Sequence, residues 1–499
     1  MQNEKYVAAI DQGTTGTRCA IFDHNARLIG WAYKKHKQII KKEGYIEQDP
    51  IEIIQNVRYV INAAVKNAKI NKKQVFSIGI SNQRETIVAW NKRNSLPIYN
   101  AISWQDTRTK DYIKKINKKG ITKKIKDKTG LRPSTYFSAS KIQWLLKNSD
   151  RFKTLVSSGD ALVGNMDSWI VWNLTNGKMH YTDYTNASTT MLMNLRKLDW
   201  DSDLMNFFGI PRDILPDIVD YGKNNGFGNF SRSGFNTVIG SVMGDQQAAL
   251  FGERCLSQGD IKITYGTGSF ILQNTGKKII NKDGLISTCA YSLGKNDVFY
   301  ALEGSIPFSG AIFDWLKNIG IIKSFDEIDK AIQERKNNGI YFVPAFNGLL
   351  APYWDENAKG LIMGLTNKTD KLDIISAATN SICLQVKDII NRMNIDENIN
   401  IKVDGGVSIN NKIMQLQSDF IGRNIYRQKI NEASSLGAAF SAGLNTNFWE
   451  FNEIKNINIK YTSFRPLQKR ETINKVYSEW LSAIKRSVVS IESFKYIKK

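Results

Sequence analysis

Apolar and polar positions along this chain switch between a period of two and a period near 3.6, and the switches mark its elements. Tyr6-Val-Ala-Ala-Ile10 and Arg18-Cys-Ala-Ile-Phe22 are β-forming runs around Asp11-Gln-Gly-Thr-Thr-Gly-Thr17. Two glycines and small polar side chains between such runs predict strand, tight turn and strand. The period then lengthens. Ile54, Val57, Ile61 and Val65 form one helical face, behind Asp49 as N-cap, Pro50 at the first helical position and Glu52 placed for a capping box. Residues 75–80 predict a strand that ends in the polar Ser81-Asn-Gln-Arg-Glu-Thr86, and residues 87–90 predict another. Residues 238–243 predict a strand that turns through Gly244-Asp-Gln-Gln247 into a helix over 248–252.

The opening pattern returns half a chain later. Residues 261–265, the turn Gly266-Thr-Gly-Ser269 and residues 270–273 again read strand, turn, strand, as expected if two similarly built domains each bring one phosphate-binding hairpin to a shared cleft. Glycines let backbone N–H groups approach an anion, Thr14, Thr15 and Thr17 add hydroxyl donors, and Asp11 can hold hydrated magnesium. Residues 401–404 predict a strand before Gly405-Gly406, a turn over which a nucleotide can lie. A helix follows from Asn411, with Ile413, Leu416, Phe420 and Ile421 on one face. Residues 434–440 and the stretch around Trp480 read as packing helices. Two charged features stay open on position alone. Arg84-Glu85 at a strand's carboxyl end is equally a ligand site and a surface ion pair. Asp245 fits a helix N-cap, yet an acid there can also face a cleft and accept a proton from a substrate hydroxyl.

Composition narrows the chemistry. A chain of 499 residues with 42% hydrophobic content is globular and long enough for two or more domains. The amino terminus carries no leader pattern and no run approaches ~18 apolar residues, so a cytoplasmic, soluble protein without membrane anchoring is expected. Cys19, Cys255, Cys289 and Cys383 are scattered and the chain has 3 His, which argues against a disulfide framework, a zinc site or a Ser/His/Asp triad. Catalysis is left to carboxylates, Arg and backbone amides. The net charge of +22 would suggest nucleic acid, but the lysines are spread without interleaved aromatics, so no nucleic-acid partner is expected. The nine lysines of residues 110–128 accompany Ile113, Ile116, Ile121 and Ile125 at helical spacing, which predicts a solvated helical face. P-loop, dinucleotide-fold and protein-kinase motifs are missing. Two phosphate hairpins and a late Asp-Gly-Gly turn leave the actin-like ATPase architecture.

These strings carry a resemblance. Asp11-Gln-Gly-Thr-Thr15, Ser81-Asn-Gln-Arg-Glu-Thr86, residues 181–188, residues 244–252, Tyr265-Gly-Thr-Gly268, Val343-Pro-Ala-Phe346 with Ala351-Pro-Tyr-Trp354, and Val403-Asp-Gly-Gly406 resemble the FGGY carbohydrate kinase family, from Tyr6 to about Trp449. The first family motif is met by residues 137–144. The second, from Gly360, departs at Thr379-Asn380.

The resemblance implies an α/β protein of two ribonuclease-H-like domains of the actin/hexokinase ATPase type around a central catalytic cleft. They are expected at 1–252, with the acceptor site and first hairpin, and at 253–499, with the nucleotide site and second hairpin. It implies a kinase that phosphorylates glycerol with ATP and Mg²⁺ to sn-glycerol 3-phosphate, the first step of glycerol catabolism. Asp245 would be the general base. Arg84, Glu85, Trp104, Tyr136, Asp245, Gln246 and Phe270 would bind glycerol. Thr14, Thr15, Gly16, Arg18, Thr267, Gly310, Asp314, Gly406 and Asn410 would serve the nucleotide, and Asp11 the metal. A homo-oligomer, dimer or tetramer, is plausible from the family. The family usually has two serines where this chain has Gly16-Thr17, and often Gln at Asp314, which predicts weaker ATP affinity. Residues 223–236 do not reproduce the loop by which some relatives bind fructose 1,6-bisphosphate, so inhibition by that sugar is not expected. The alternatives are a kinase of the same family acting on a pentulose, against which Arg84-Glu85 and Gly244-Asp-Gln-Gln247 argue, and an actin-like ATPase with no small acceptor.

Overall fold

The computed structural model describes residues 4–118, 120–219, 226–232, 234–294, 297–335, 339–393, 395–396, 399–429, 432–489, 493 and 496–497. The expected regulatory segment 223–236 therefore lies partly outside the described residues. Among these residues two large mixed sheets face a common cleft. The first has the strand order Asn229–Phe230, Thr237–Gly244, Val75–Asn82, Tyr6–Gln12, Gly16–Phe22, Leu28–Lys35. Tyr6–Gln12 is its axis: antiparallel to Gly16–Phe22 and parallel to Val75–Asn82. All its residues but Tyr6 are buried, which is why it reads as an unbroken apolar run rather than an alternation.

The second sheet repeats that plan. Its order is Ile286–Ser292, Val298–Ile306, Ser269–Gly276, Ile261–Tyr265, Ile401–Asp404, Ile425–Gln428, Tyr461–Phe464. Ile261–Tyr265 is antiparallel to its hairpin partner Ser269–Gly276 and parallel to Ile401–Asp404. Both predicted hairpins are present, closed by Gly13 N to Gly16 O at 2.9 Å and Gly266 N to Gly268 O at 2.8 Å. A smaller five-stranded sheet holds Ile87–Asn91 against Ala161–Asn165, and the helices of residues 110–208 pack around it.

Local chemistry accounts for most element ends, with two differences from expectation. The helix Pro50–Asn67 starts as expected, with Asp49 accepting from Ile51 N at 2.8 Å. Glu52 does not close a capping box; its Oε2 accepts from Lys37 N at 3.2 Å. The lysine-rich stretch is two helices, Lys110–Lys118 and Thr122–Thr129, separated at Gly120, whose φ of +70° breaks the helical path. Ile113, Ile116 and Ile125 are buried as the spacing predicted.

One helix from late in the chain lies on the first sheet. Ala433–Asn445 packs against Tyr6–Gln12, Val75–Asn82 and Thr237–Gly244, and against the helix Asp245–Gly252. The two helices approach so closely that a Cβ on Gly437 would strike Ala248 O, and one on Gly252 would strike Ala433 O. Glycine at both positions is what lets the backbones meet. That contact brings the amino-terminal end of Ala433–Asn445 to the cleft.

Candidate active site

The carboxyl ends of the central strands converge on a cavity of about 350 Å³. Both hairpin turns line it, with Gly13, Thr14, Thr15 and Gly16 from one and Gly266, Thr267 and Gly268 from the other. Asp11, Arg18, Arg84, Glu85, Trp104, Tyr136, Asp245, Gln246, Phe270 and Gly406 line it as well. Three of the expected residues are elsewhere. The Gly310 amide donates to Gly266 O at 3.0 Å, behind the second turn. Asp314 is exposed on the helix Gly310–Asn318. Asn410 caps its own helix through Lys412 N and Ile413 N, and donates to Asp329 Oδ1 at 2.6 Å. Thr17, read as a further hydroxyl donor, is fully buried on the opposite face of its strand, because side chains alternate along a strand.

Arg84 and Glu85 are not a surface pair. Their side chains are 1% and 2% exposed. The Arg84 guanidinium forks onto Glu303, with Nη1 to Oε2 at 2.7 Å and Nη2 to Oε1 at 2.6 Å. Its Nε faces Glu85 Oε1 at 3.6 Å and Asp245 Oδ1 at 3.7 Å. Glu303 belongs to the second sheet, so this buried pair spans the cleft. Glu85 holds φ at +61°, in the left-handed region that side chains avoid. Its Oε1 has no hydrogen-bond partner among the described residues, a buried acceptor of the kind a ligand hydroxyl would satisfy. Burial, above all, pushes the Glu85 carboxyl up to about 8, against the pull of Arg84.

Asp245 is the first residue of its helix, not the cap, which is Gly244. Its Oδ1 accepts from Gln246 N at 2.8 Å. A quarter of its side chain (25%) faces the cavity, yet the group lies deep enough that loss of solvent, followed by the nearby Asp11 charge, pushes it up to about 6; Arg84 and Lys262 oppose this. Gln246 Oε1 accepts from Lys262 Nζ at 2.8 Å, which leaves the amide NH₂ to face the cavity. Lys262 is fully buried and also donates to Thr264 Oγ1 at 2.8 Å. An aromatic wall completes the pocket. Trp104 meets Tyr136 edge-on at 5.5 Å and Phe270 at 6.1 Å. Its indole N–H donates to Thr14 Oγ1 at 2.9 Å, tying the wall to the first turn.

Sequence reasoning placed Asp404 in a nucleotide turn without giving its side chain a role, and missed Tyr33 and Glu432 in the lining and Lys262 and Glu303 behind it. Lys262 and Glu303 did leave a signal, a charge inside an apolar strand run.

A charged acceptor-like pocket between two phosphate-type turns, on paired sheets of one plan, defines a two-lobed phosphotransferase. Residues 6–252 match the N-terminal domain, and residues 261–446 the C-terminal domain, of the FGGY family of carbohydrate kinases. The chain belongs to that family. It is 44% identical over 493 residues to a glycerol kinase of Clostridium botulinum (strain Hall), covering 97% of this chain and 99% of that protein. It is 42% identical to a glycerol kinase of Saccharopolyspora erythraea over 98% of this chain and 99% of the relative. Among solved structures, Plasmodium falciparum glycerol kinase with ADP superposes with a TM-score of 0.89 at 35% identity, covering 98% of this chain and 99% of that one. A xylulose kinase of Lactobacillus acidophilus shares the fold, with a TM-score of 0.85 at 23% identity over 98% of this chain and all (100%) of the other.

Proposed function

We propose that this chain transfers the terminal phosphoryl group of ATP to glycerol, giving sn-glycerol 3-phosphate and ADP, as the first step of glycerol catabolism. The observation that carries this reading is one cavity shared by Asp245, the Arg84–Glu85 pair, an aromatic wall and both phosphate-type turns. Glycerol presents three hydroxyls on a short carbon chain. Arg84, Glu85 and the Gln246 amide serve the hydroxyls, and Trp104, Tyr136 and Phe270 cover the carbons.

Asp245 acts as general base. It takes the proton of the terminal hydroxyl as that oxygen bonds to the γ-phosphorus; the bond from γ-phosphorus to the bridging oxygen breaks and ADP leaves. A carboxylate pushed to about 6 is ionised at neutral pH yet basic enough to share a proton. Thr14, Thr15, Arg18 and Thr267 with Gly406 hold the nucleotide, whose charge the amides of both turns oppose. Gly310, Asp314 and Asn410 were expected at the nucleotide as well; here they are assigned a place at its periphery.

The donor set fits magnesium. Asp11, Asp245 and Asp404 present hard oxygens to one cavity, Asp404 Oδ1 has no partner among the described residues, and burial, with the Asp11 charge adding to it, raises the carboxyls of both others. No three His, Cys, Asp or Glu side chains form a metal cage among the described residues, which suits an ion held by one or two carboxylates and phosphate oxygens. Asp11 is the first candidate; bound there, the ion would neutralise phosphate charge. The division at 252/253 holds as a proposal for the chain path, with Ala433–Asn445 returning to the first lobe. No helix among the described residues is long and apolar enough to cross a membrane; a cytoplasmic enzyme that self-associates is the reading adopted from the family.

The test is ADP release from Mg-ATP against glycerol, dihydroxyacetone, xylulose and no acceptor. Glycerol-dependent release with a single phosphorylated product is expected. Xylulose as the better acceptor, or equal release without acceptor, overturns the reading.

A further inference from the structure

The cleft-facing row of the first hairpin has a gap. Along Gly16–Phe22 side chains alternate, so Gly16 and Arg18 face the cavity while Thr17 points into the core with its Oγ1 unpartnered. At the position nearest the turn, the chain therefore offers the cavity no side chain. The neighbouring strand fills that space. Tyr33 is the register partner of Arg18 and so the diagonal neighbour of Gly16 on the same face. A Cβ built on Gly16 would fall 2.6 Å from Tyr33 Cε2 and Cζ, and closer still to the phenolic oxygen. Real Cβ atoms essentially never come that close, so a side chain at this position would have to push the end of the Tyr33 ring aside. Tyr33 lines the same cavity as Thr14, Thr15 and Asp11, with the Arg18 guanidinium carbon 5.9 Å from its ring centroid. Its hydroxyl has no hydrogen-bond partner among the described residues.

Resting on the reading of this cleft as an ATP site, we propose that Tyr33 is a nucleotide-binding residue whose phenolic O–H donates to a terminal phosphate oxygen of ATP, and that Gly16 is the residue that makes room for it. The two positions act as one unit. The donor at this place comes from the next strand, not from the turn itself. Gly16 is then no loss of grip on ATP.

Tyr33→Phe keeps the ring and removes the donor, so it separates this role from mere packing. A hydrogen bond to a charged phosphate is commonly worth about tenfold in affinity. Calorimetric titration of the full-length protein with Mg-ADP and a non-hydrolysable Mg-ATP analogue should show about tenfold weaker binding to Tyr33→Phe, with the glycerol KM unchanged. Weakening with both nucleotides places the contact on the β-phosphate; weakening with the triphosphate alone places it on the γ-phosphate. Gly16→Ser should bind nucleotide poorly in the native background and recover several-fold when combined with Tyr33→Ala, where the space is free. Affinity of Tyr33→Phe within twofold of the native protein overturns the proposal, as does Gly16→Ser behaving alike in both backgrounds. Because binding is read without glycerol, a native protein that binds Mg-ATP but phosphorylates no polyol would fail the functional reading alone. A native protein that binds no nucleotide overturns both.

Discussion

The two hairpins share a backbone plan and divide the chemistry. In the first, Asp11 pairs across the ladder with Arg18; in the second, the corresponding pair is Thr264 with Phe270. The parallel neighbours are exchanged as well. Asp11 stands beside Ser81, whose Oγ donates to it at 3.1 Å, whereas Thr264 stands beside Asp404. So the first sheet carries its carboxylate on the hairpin and its hydroxyl on the next strand, and the second sheet the reverse. Two residues before Asp11 the first hairpin has apolar Ala9, and two before Thr264 the second has buried Lys262. An ionic Asp–Arg face suits phosphates and metal. A Thr–Phe face with a hidden ammonium suits the carbon skeleton of the acceptor and the orientation of Gln246. Matching backbone hydrogen bonds thus hold a turn in place without deciding what it binds.

The strongest break of that division is Asp245→Asn, at the junction of the two faces. Turnover should fall by about 10²–10⁴-fold, the usual worth of a positioned base, while glycerol binding measured by titration persists. Near-native turnover would remove Asp245 from its role. The same variant carries a stability signature. Asp245 is raised from 3.8 to about 6 in the fold, so its ionisation costs the folded state nothing below the unfolded value, increasingly as pH rises towards 6, and fully above. Removing the charge should stabilise the protein by about 1–3 kcal/mol at pH 7 and leave it nearly unchanged at about pH 3, below the unfolded value. Thermal melts at the two pH values read this directly.

Next in size is Glu303→Ala, which takes away the partner that the second sheet supplies to Arg84. A buried guanidinium left alone costs about 3–5 kcal/mol, so denaturant midpoints should drop and the glycerol KM should rise, because Arg84 can no longer hold its place beside Glu85. Glu303→Ala with native glycerol KM would mean that Arg84 is fixed by the first lobe alone. Lys262→Met is smaller and sharper. Losing the charge-assisted bond to Gln246 should lower kcat/KM for glycerol about tenfold, with the ATP KM little altered. It also removes a cation that holds the Asp245 carboxyl down. Since the base works deprotonated, native kcat/KM should fall tenfold per unit below about pH 6, and this limb should move to higher pH in Lys262→Met. An unmoved limb would separate Lys262 from the base.

What was legible beforehand follows from locality. The hairpins, Asp245 and Arg84-Glu85 are written in contiguous strings whose turn chemistry and strand ends show in the sequence. Tyr33, Glu303 and Ala433–Asn445 act across 17 to 350 or more positions, and only register or packing reveals them. Tyr33 sits beside Lys34 and Lys35 on Leu28–Lys35, the outer strand of its sheet, where nothing local marks it as a site residue. Lys262 was hidden for a different reason: the chain is rich in lysine throughout, so one between Ile261 and Ile263 does not stand out, although a charge flanked by buried isoleucines on a central strand must be partnered. Thr17 was misplaced because its residue type was read without the strand's alternation. Asn410, expected at the nucleotide from the resemblance, also caps the helix that follows it through Lys412 N and Ile413 N, work that its place before a helix already allowed.

The smallest effect is expected at Asp314, and it tests how far the nucleotide face extends. A carboxylate near a phosphate would repel it, and replacement by Gln would then tighten ATP binding severalfold. Here Asp314 projects from the exposed side of Gly310–Asn318 and is not among the residues lining the cavity. Water and salt screen an exposed charge. Asp314→Gln should therefore change the ATP KM by less than about twofold and stability by no more than about 0.5 kcal/mol. A clear gain in affinity would extend the nucleotide face to the outer helix and make the second hairpin's side of the cleft ionic as well, erasing the contrast between the two turns.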